Sequence, residues 1–393
     1  MRVKRYLHNF IASDLKEKMV FIGGPRQVGK TTLAKQVGES EYKQFAYLNW
    51  DKKEDKQKII KNLLPAESRL IIFDEIHKYR QWKNYLKGEY DKNKDNFSIL
   101  ATGSARMDIY RRGGDSLMGR YHYLRLHPFS LGEAAYSKIP EIIPGKELAF
   151  QKKNKLSRKV FDDLFRFGGF PEPFIKKDEI VWRRFQNERL DRLIKEDIRD
   201  LETIRDLSSL QILAETLPEK IGSLFSLNSL REDLQAAHKT VALWMDVLER
   251  FYYQFRIYPF SSSAIRSLRK EPKLYLWDWS QIKNDGARME NMIASHLLKT
   301  VHFLHDCYGF KAELSFLRDK EGREVDFLVS VDKKPWLAVE VKLTELEISK
   351  HLRYFSGKLK VPFVYQVVKT ADIDFIQDGI RLMSAEKFLS GLI

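Results

Sequence analysis

The stretch GPRQVGKT, Gly24 to Thr31, restricts the fold more than any other part of the chain, because it fits GxxxxGK[ST] in full. Such a loop needs a strand that delivers the backbone to a glycine turn and a helix that carries it away. Glycines let consecutive N–H groups curl around phosphate oxygens, and the helix points its positive end at them. The flanks comply: MVFI precedes the loop, and TTLAKQVG follows with helical spacing. The expected nucleotide contacts are Gly24, Pro25, Arg26, Gln27, Val28, Gly29, Lys30, Thr31 and Thr32. Lys30 is expected to reach the β- and γ-phosphates and Thr31 to ligate Mg²⁺.

A loop of this kind belongs to a parallel sheet, and the sequence supplies one. RLIIFDEIH reads as a buried strand whose carboxyl end carries Asp74, suited to the Mg²⁺ shell, and Glu75, suited to polarising the attacking water. FSILATGSAR is a further strand, with Thr102 or Ser104 placed to sense the γ-phosphate. FAYLNWD and YHYLRLHP add two more. Five strands alternating with helical stretches predict an α/β core with helices on both faces.

The chain has 393 residues, which predicts two or three domains. Its apolar runs fall well short of the roughly 18 residues that span a bilayer. No secretory leader is read at the amino end. The single cysteine, Cys307, suits a reducing compartment, so a cytoplasmic protein off the membrane is expected. A net charge of +15 favours polyanionic partners, because cationic surfaces gain free energy by releasing counterions from phosphate backbones.

Residues 147–208 read as helical, with apolar positions at three- and four-residue spacing. From 209 to 282 the parts are those of a winged helix. SLQILAETLPEKIG, SLNSLREDLQAA and HKTVALWMDVLERF are helices, and two apolar strands then flank a basic loop. Val241, Trp244, Val247 and Leu248 are expected on the buried side of the third helix. Lys239 near its start, with Arg266, Arg269 and Lys270 in the loop, forms the expected DNA-contacting set.

Residues 283–393 open with an amphipathic helix over roughly 287–304 and continue as strands. In EVDFLVSV the side chains alternate, so Glu324 and Asp326 share one face. In PWLAVEVK, Glu340 and Lys342 share one face. If these strands pair in register, Asp326, Glu340 and Lys342 converge, with Glu290 on the preceding helix as a further acid. Carboxylates so placed suit one or two Mg²⁺ ions, and a lysine beside them suits the charge that develops at a phosphodiester.

GPRQVGKTTL, LIIFDEIHK, ATGSAR, SLMGR, HPFSLGE, FGGFPE and EVDF…EVK together resemble the AAA-type ATPase family of bacteria and archaea that ends in a domain of unknown function. The resemblance implies an AAA-like parallel-sheet core over 1–146 and a helical lid over 147–208. It also implies a winged-helix domain, and a restriction-endonuclease-like α/β domain similar to the PD-(D/E)XK nucleases, with Glu340-Val341-Lys342 as its (D/E)XK part. It implies ATP and Mg²⁺ as cofactors. An arginine from a neighbouring subunit of a homo-oligomer is implied as well, Arg120 in SLMGR fitting best, ahead of Arg111 and Arg112. The expected activity is DNA-directed ATP hydrolysis; an ATP-regulated nuclease and a nucleotide switch that recruits protein partners are the alternatives.

Overall fold

Strands built from unbroken apolar runs must be covered on both faces, and that demand organises the amino-terminal third. The computed structural model describes residues 4–103, 117–136, 138–152, 154–199, 202, 204, 206–261 and 270–393. Its first elements are α1 (His8–Asp14), β1 (Met19–Gly23), α2 (Lys30–Glu41), β2 (Phe45–Asn49), α3 (Lys53–Ile60), β3 (Leu70–Asp74), α4 (Trp82–Asn93), β4 (Ser98–Gly103) and β5 (Tyr121–Arg125). The five strands form one parallel sheet, as the sequence predicts, in the order β2-β3-β4-β1-β5. Val20, Ile22, Leu33 and Val37 pack on one face; Phe21, Phe73, Trp82 and Leu86 pack on the other. Because β4 lies between β1 and β3, the phosphate loop, Asp74 and Thr102 emerge side by side at one edge.

The middle of the chain is helical: α5 (Leu131–Ala135), α6 (Ser157–Phe167), α7 (Pro171–Lys176) and α8 (Glu179–Arg192), which runs on into a π-helical turn, Leu193–Ile198. The break after α6 requires glycine. Gly168 has φ +77°, and a Cβ there would meet Asp278 Oδ1 at 2.7 Å. Next come α9 (Leu207–Thr216), α10 (Leu227–Asp233) and α11 (His238–Arg250). An antiparallel pair succeeds them, β6 (Gln254–Ile257) with β7 (Lys273–Leu276). Val241, Trp244, Val247 and Leu248 of α11 are buried, as their spacing predicts.

The last third begins with α12 (Asp285–Tyr308), longer at both ends than its periodicity indicates. The Asn284 side chain accepts from the Ala287 N–H at its start, and Gly309 closes it at φ +74°. β8 (Ala312–Arg318), β9 (Glu324–Val331), β10 (Lys334–Lys342), α13 (Lys350–Leu359), β11 (Phe363–Val368), β12 (Asp374–Gln377), β13 (Ile380–Ser384) and α14 (Ala385–Ser390) complete the fold. The sheet is mixed, in the order β12-β13-β11-β10-β9-β8. One hydrophobic core runs without interruption from Phe129 to Leu392, through the helical middle, the β6–β7 hairpin and this sheet. Helix α12 is its spine: Met289, Met292, Ile293 and Leu297 belong to that core, while Phe303 packs into the core under the phosphate loop. No described helix is long and apolar enough to cross a membrane.

Candidate functional site

The loop after β1 is built as its sequence demands. Gly24 has φ +149°, and a Cβ there would meet the Leu126 carbonyl oxygen at 2.4 Å, so a side chain is excluded. Gly29 caps α2 in the left-handed region, at φ +97°. The Lys30 ammonium is buried inside the curl and donates to the carbonyls of Gly24 (2.9 Å) and Pro25 (2.8 Å). Burial lowers its pKa from the ordinary lysine range. At the end of β3 the buried Asp74 collects three hydroxyl donors: Thr31 at 2.9 Å, Tyr47 at 2.5 Å, and Thr102. Thr31 and Thr102, far apart in the chain, therefore meet on one carboxylate. Glu75 comes next with φ +56°, a left-handed conformation that a glutamate adopts only when its surroundings impose it. Burial, and then the adjacent Asp74, push its carboxyl above the usual range.

Two further charges at this site are absent from the motif. Arg26 of the loop pairs with Asp197 (2.8 Å) and Glu196 (2.8 Å), both on the π-helical turn after α8. Asp197 is buried, and its Oδ2 has no hydrogen-bond partner. Burial pushes its carboxyl up to about 6, against the pull of Arg26. The helical middle thus lays a carboxylate beside the place where phosphates bind, held by a loop arginine that phosphate oxygens would also attract. Replacing Asp197 with Asn removes the competing charge and should tighten ATP binding by roughly tenfold, about 1.4 kcal/mol. Titration with a fluorescent nucleotide checks this, and unchanged or weaker binding would count against the competition.

The loop is buttressed from below. Arg5 donates to the Val28 carbonyl (2.9 Å) and to Glu133 Oε1 (2.9 Å). Lys299 of α12 donates to the same carboxylate and to Ser130 Oγ (2.8 Å). Burial alone would raise the Glu133 carboxyl, but Arg5 and Lys299 overcome it and hold it at about 2. Sequence reasoning missed Glu133, the last residue of HPFSLGE, since its partners lie more than a hundred positions away in the chain.

In the last third, Val339 faces Phe327 in the antiparallel β9–β10 pair, which sets Glu340 opposite Asp326. Lys342 Nζ lies 3.1 Å from Glu340 Oε1. The expected convergence of Asp326, Glu340, Lys342 and Glu290 is therefore present. A residue outside the expected set joins it on the Glu290 and Asp326 side. Lys273, the first residue of β7, is 2 % exposed and reaches Glu324 Oε1 at 2.7 Å, Glu290 Oε1 at 3.2 Å and Asp326 Oδ1 at 3.4 Å. The Tyr275 hydroxyl donates to Glu290 (2.7 Å), and the Val341 N–H donates to Asp326 Oδ2 (2.9 Å). Burial, with Asp326 beside them, raises Glu290 to about 7 and Glu340 to about 8.

Comparison with known proteins decides what the amino-terminal site is. Residues 16–135 match the family described as AAA domain, residues 158–282 a domain of unknown function (DUF8612), and residues 285–388 another (DUF4143). The chain carries an AAA-type ATPase domain. Two uncharacterized proteins of Methanocaldococcus jannaschii are similar to most of the chain. One is 23 % identical over 88 % of this chain and 80 % of its own length; the other is 27 % identical over 75 % and 70 %. Among solved structures, the Thermotoga maritima RuvB Holliday junction branch migration motor aligns over 65 % of this chain and 90 % of its own, at 17 % identity and a TM-score of 0.28. A signal transduction ATPase with numerous domains from Pyrococcus horikoshii aligns over 78 % and 47 %, at 13 % identity and a TM-score of 0.25. Likenesses this slight carry no functional weight.

The AAA domain keeps Arg120 away from its own phosphate loop. The residue precedes β5, beside Met19 at the opposite edge of the sheet, and pairs with Asp91 at 2.7 Å. A role in hydrolysis would require a neighbouring subunit. Ser104, Arg111, Arg112, Arg266 and Arg269 lie outside the described residues. Lys239 at the start of α11 and Lys270 ahead of β7 are both exposed.

Proposed function

We propose that this chain is an ATP-hydrolysing AAA-type protein that grips and remodels DNA, and that it works as a homo-oligomer. In this reading Gly24 to Thr32 hold the phosphates, with Lys30 reaching the β- and γ-oxygens and Thr102 next to Asp74 reporting the γ-phosphate. The Thr31 hydroxyl and the Asp74 carboxylate, already in contact, form an all-oxygen donor set that suits Mg²⁺, which supplies charge neutralisation at the phosphates when bound. Glu75 takes the proton of the attacking water. Arg26 exchanges its Asp197 and Glu196 partners for phosphate, which frees the turn after α8 and passes the nucleotide state to the helical lid. Arg120 acts across a subunit boundary.

The observation that carries the DNA reading is the unit α9–α10–α11 with the β6–β7 hairpin. It presents exposed Lys239 and Lys270 in a chain of net charge +15. Three helices and a hairpin in this order are the parts of a winged helix, whose third helix enters the major groove while the hairpin loop touches the backbone. In the sequence, Arg266 and Arg269 fall between the two strands of the hairpin. Changing both Lys239 and Lys270 to Glu should weaken duplex binding and flatten the dependence of log K on log salt by about 0.9 for each phosphate no longer neutralised. Gel-shift titrations at several salt concentrations read this, alongside ATP turnover with and without DNA. An unchanged slope would discard the hairpin as the contact. Turnover indifferent to every DNA offered would favour the partner-recruiting switch instead.

A further inference from the structure

We propose that Lys273 occupies the place of the divalent cation in the carboxylate cluster of the last third, so that this nuclease-like site is a metal-free lock joining it to the β6–β7 hairpin. An ammonium has three N–H donors and no acceptor. Lys273 finds three acceptors, one from each of three carboxylates: Glu324 at 2.7 Å, Glu290 at 3.2 Å and Asp326 at 3.4 Å. A magnesium or calcium ion would need those same oxygens at about 2.0–2.6 Å. Ion and ammonium would therefore overlap, and the site holds one or the other.

Two of the other oxygens are also engaged: Glu324 Oε2 accepts from Arg318 at 2.7 Å and Asp326 Oδ2 from the Val341 N–H. Glu290 Oε1 accepts from Tyr275 as well as from Lys273, and Glu340, paired with Lys342 through Oε1, leaves its Oε2 without a partner. The ammonium, for its part, has no alternative place. Lys273 is 2 % exposed, between Phe225, whose N–H donates to the Pro272 carbonyl, and Ile257, its neighbour across the hairpin. A buried cation of this kind is tolerated only among carboxylates. Asp326 has one oxygen on Lys273 and the other on the Val341 N–H, so the two-carboxylate metal chemistry that Asp326, Glu340 and Lys342 suggest by themselves is left with Glu340 Oε2 alone. Lys273 opens β7 three residues after Lys270, so the lock fixes the hairpin to the sheet at the end of the proposed DNA loop.

The test uses full-length, nucleotide-free protein and Mn²⁺ followed by electron paramagnetic resonance. Wild type should bind no Mn²⁺ that an Asp326→Asn change removes. Lys273→Met should gain a site at least about tenfold tighter than any in wild type, and adding Asp326→Asn to it should abolish that site. Its thermal midpoint should fall relative to wild type and recover with Mn²⁺. Wild-type binding that depends on Asp326 would overturn the proposal without recourse to any Lys273 variant, and so would a folded Lys273→Met protein that gains no site. Neither result depends on whether the chain binds DNA.

Discussion

Exchanging Glu75 for Gln should lower ATP turnover by about 10²–10⁴-fold and leave nucleotide affinity within about threefold of wild type. The change keeps the shape and hydrogen-bonding reach of the side chain and removes its ability to accept a proton. The fold invests in that one position. The backbone is held at φ +56°, where glutamate is strained, and burial, with Asp74 beside it, raises the carboxyl above its ordinary range. Phosphate release and fluorescent-nucleotide titration separate the two effects. If more than about a tenth of the turnover survives, the proton goes elsewhere, and the buried carboxylate of Asp197 is the next place to look.

Replacing Glu133 with Gln should cost about 3–5 kcal/mol of stability. The substitution leaves Arg5 and Lys299 as two buried cations without their shared carboxylate. The pH dependence has the same geometric origin. The folded carboxyl is held at about 2, below the roughly 4.3 of an unfolded glutamate. Its stabilisation is therefore complete above about pH 5 and is lost as pH falls toward 2. Urea unfolding followed by circular dichroism reads the loss. A difference below about 1 kcal/mol would mean that the two cations find other partners. Because Arg5 also holds the Val28 carbonyl, the variant should lose nucleotide affinity before it unfolds.

Local pattern carries far in this chain, and its limit is physical. The parallel sheet is legible because a phosphate loop dictates the elements on either side of it, and because LIIFD and SILATG are apolar without alternation. The approach of Asp326 to Glu340 is legible because strand alternation leaves only a register to be set. Lys273, Asp197, Arg5 and Lys299 are not. Each is an ordinary charged residue in its own segment, and its meaning comes from an acid or base that only the folded chain brings near. Lys273 carries one faint signal, a charge opening the otherwise apolar run LYLW. Asp197 carries none, since it sits two places after Lys195 and one after Glu196 in a helix full of alternating charge. Arg120 shows the reverse limit: the motif picks it out, yet a single subunit gives it no phosphate to meet.

The unbroken core from Phe129 to Leu392 sets a practical limit on dissection. Excising the last third would strip α12 from its neighbours and leave Met292, Ile293 and Leu297 facing water, a patch that invites aggregation. Fragments of this protein are therefore poor surrogates for the whole, and an isolated piece that precipitates says nothing about the competence of the site it carried.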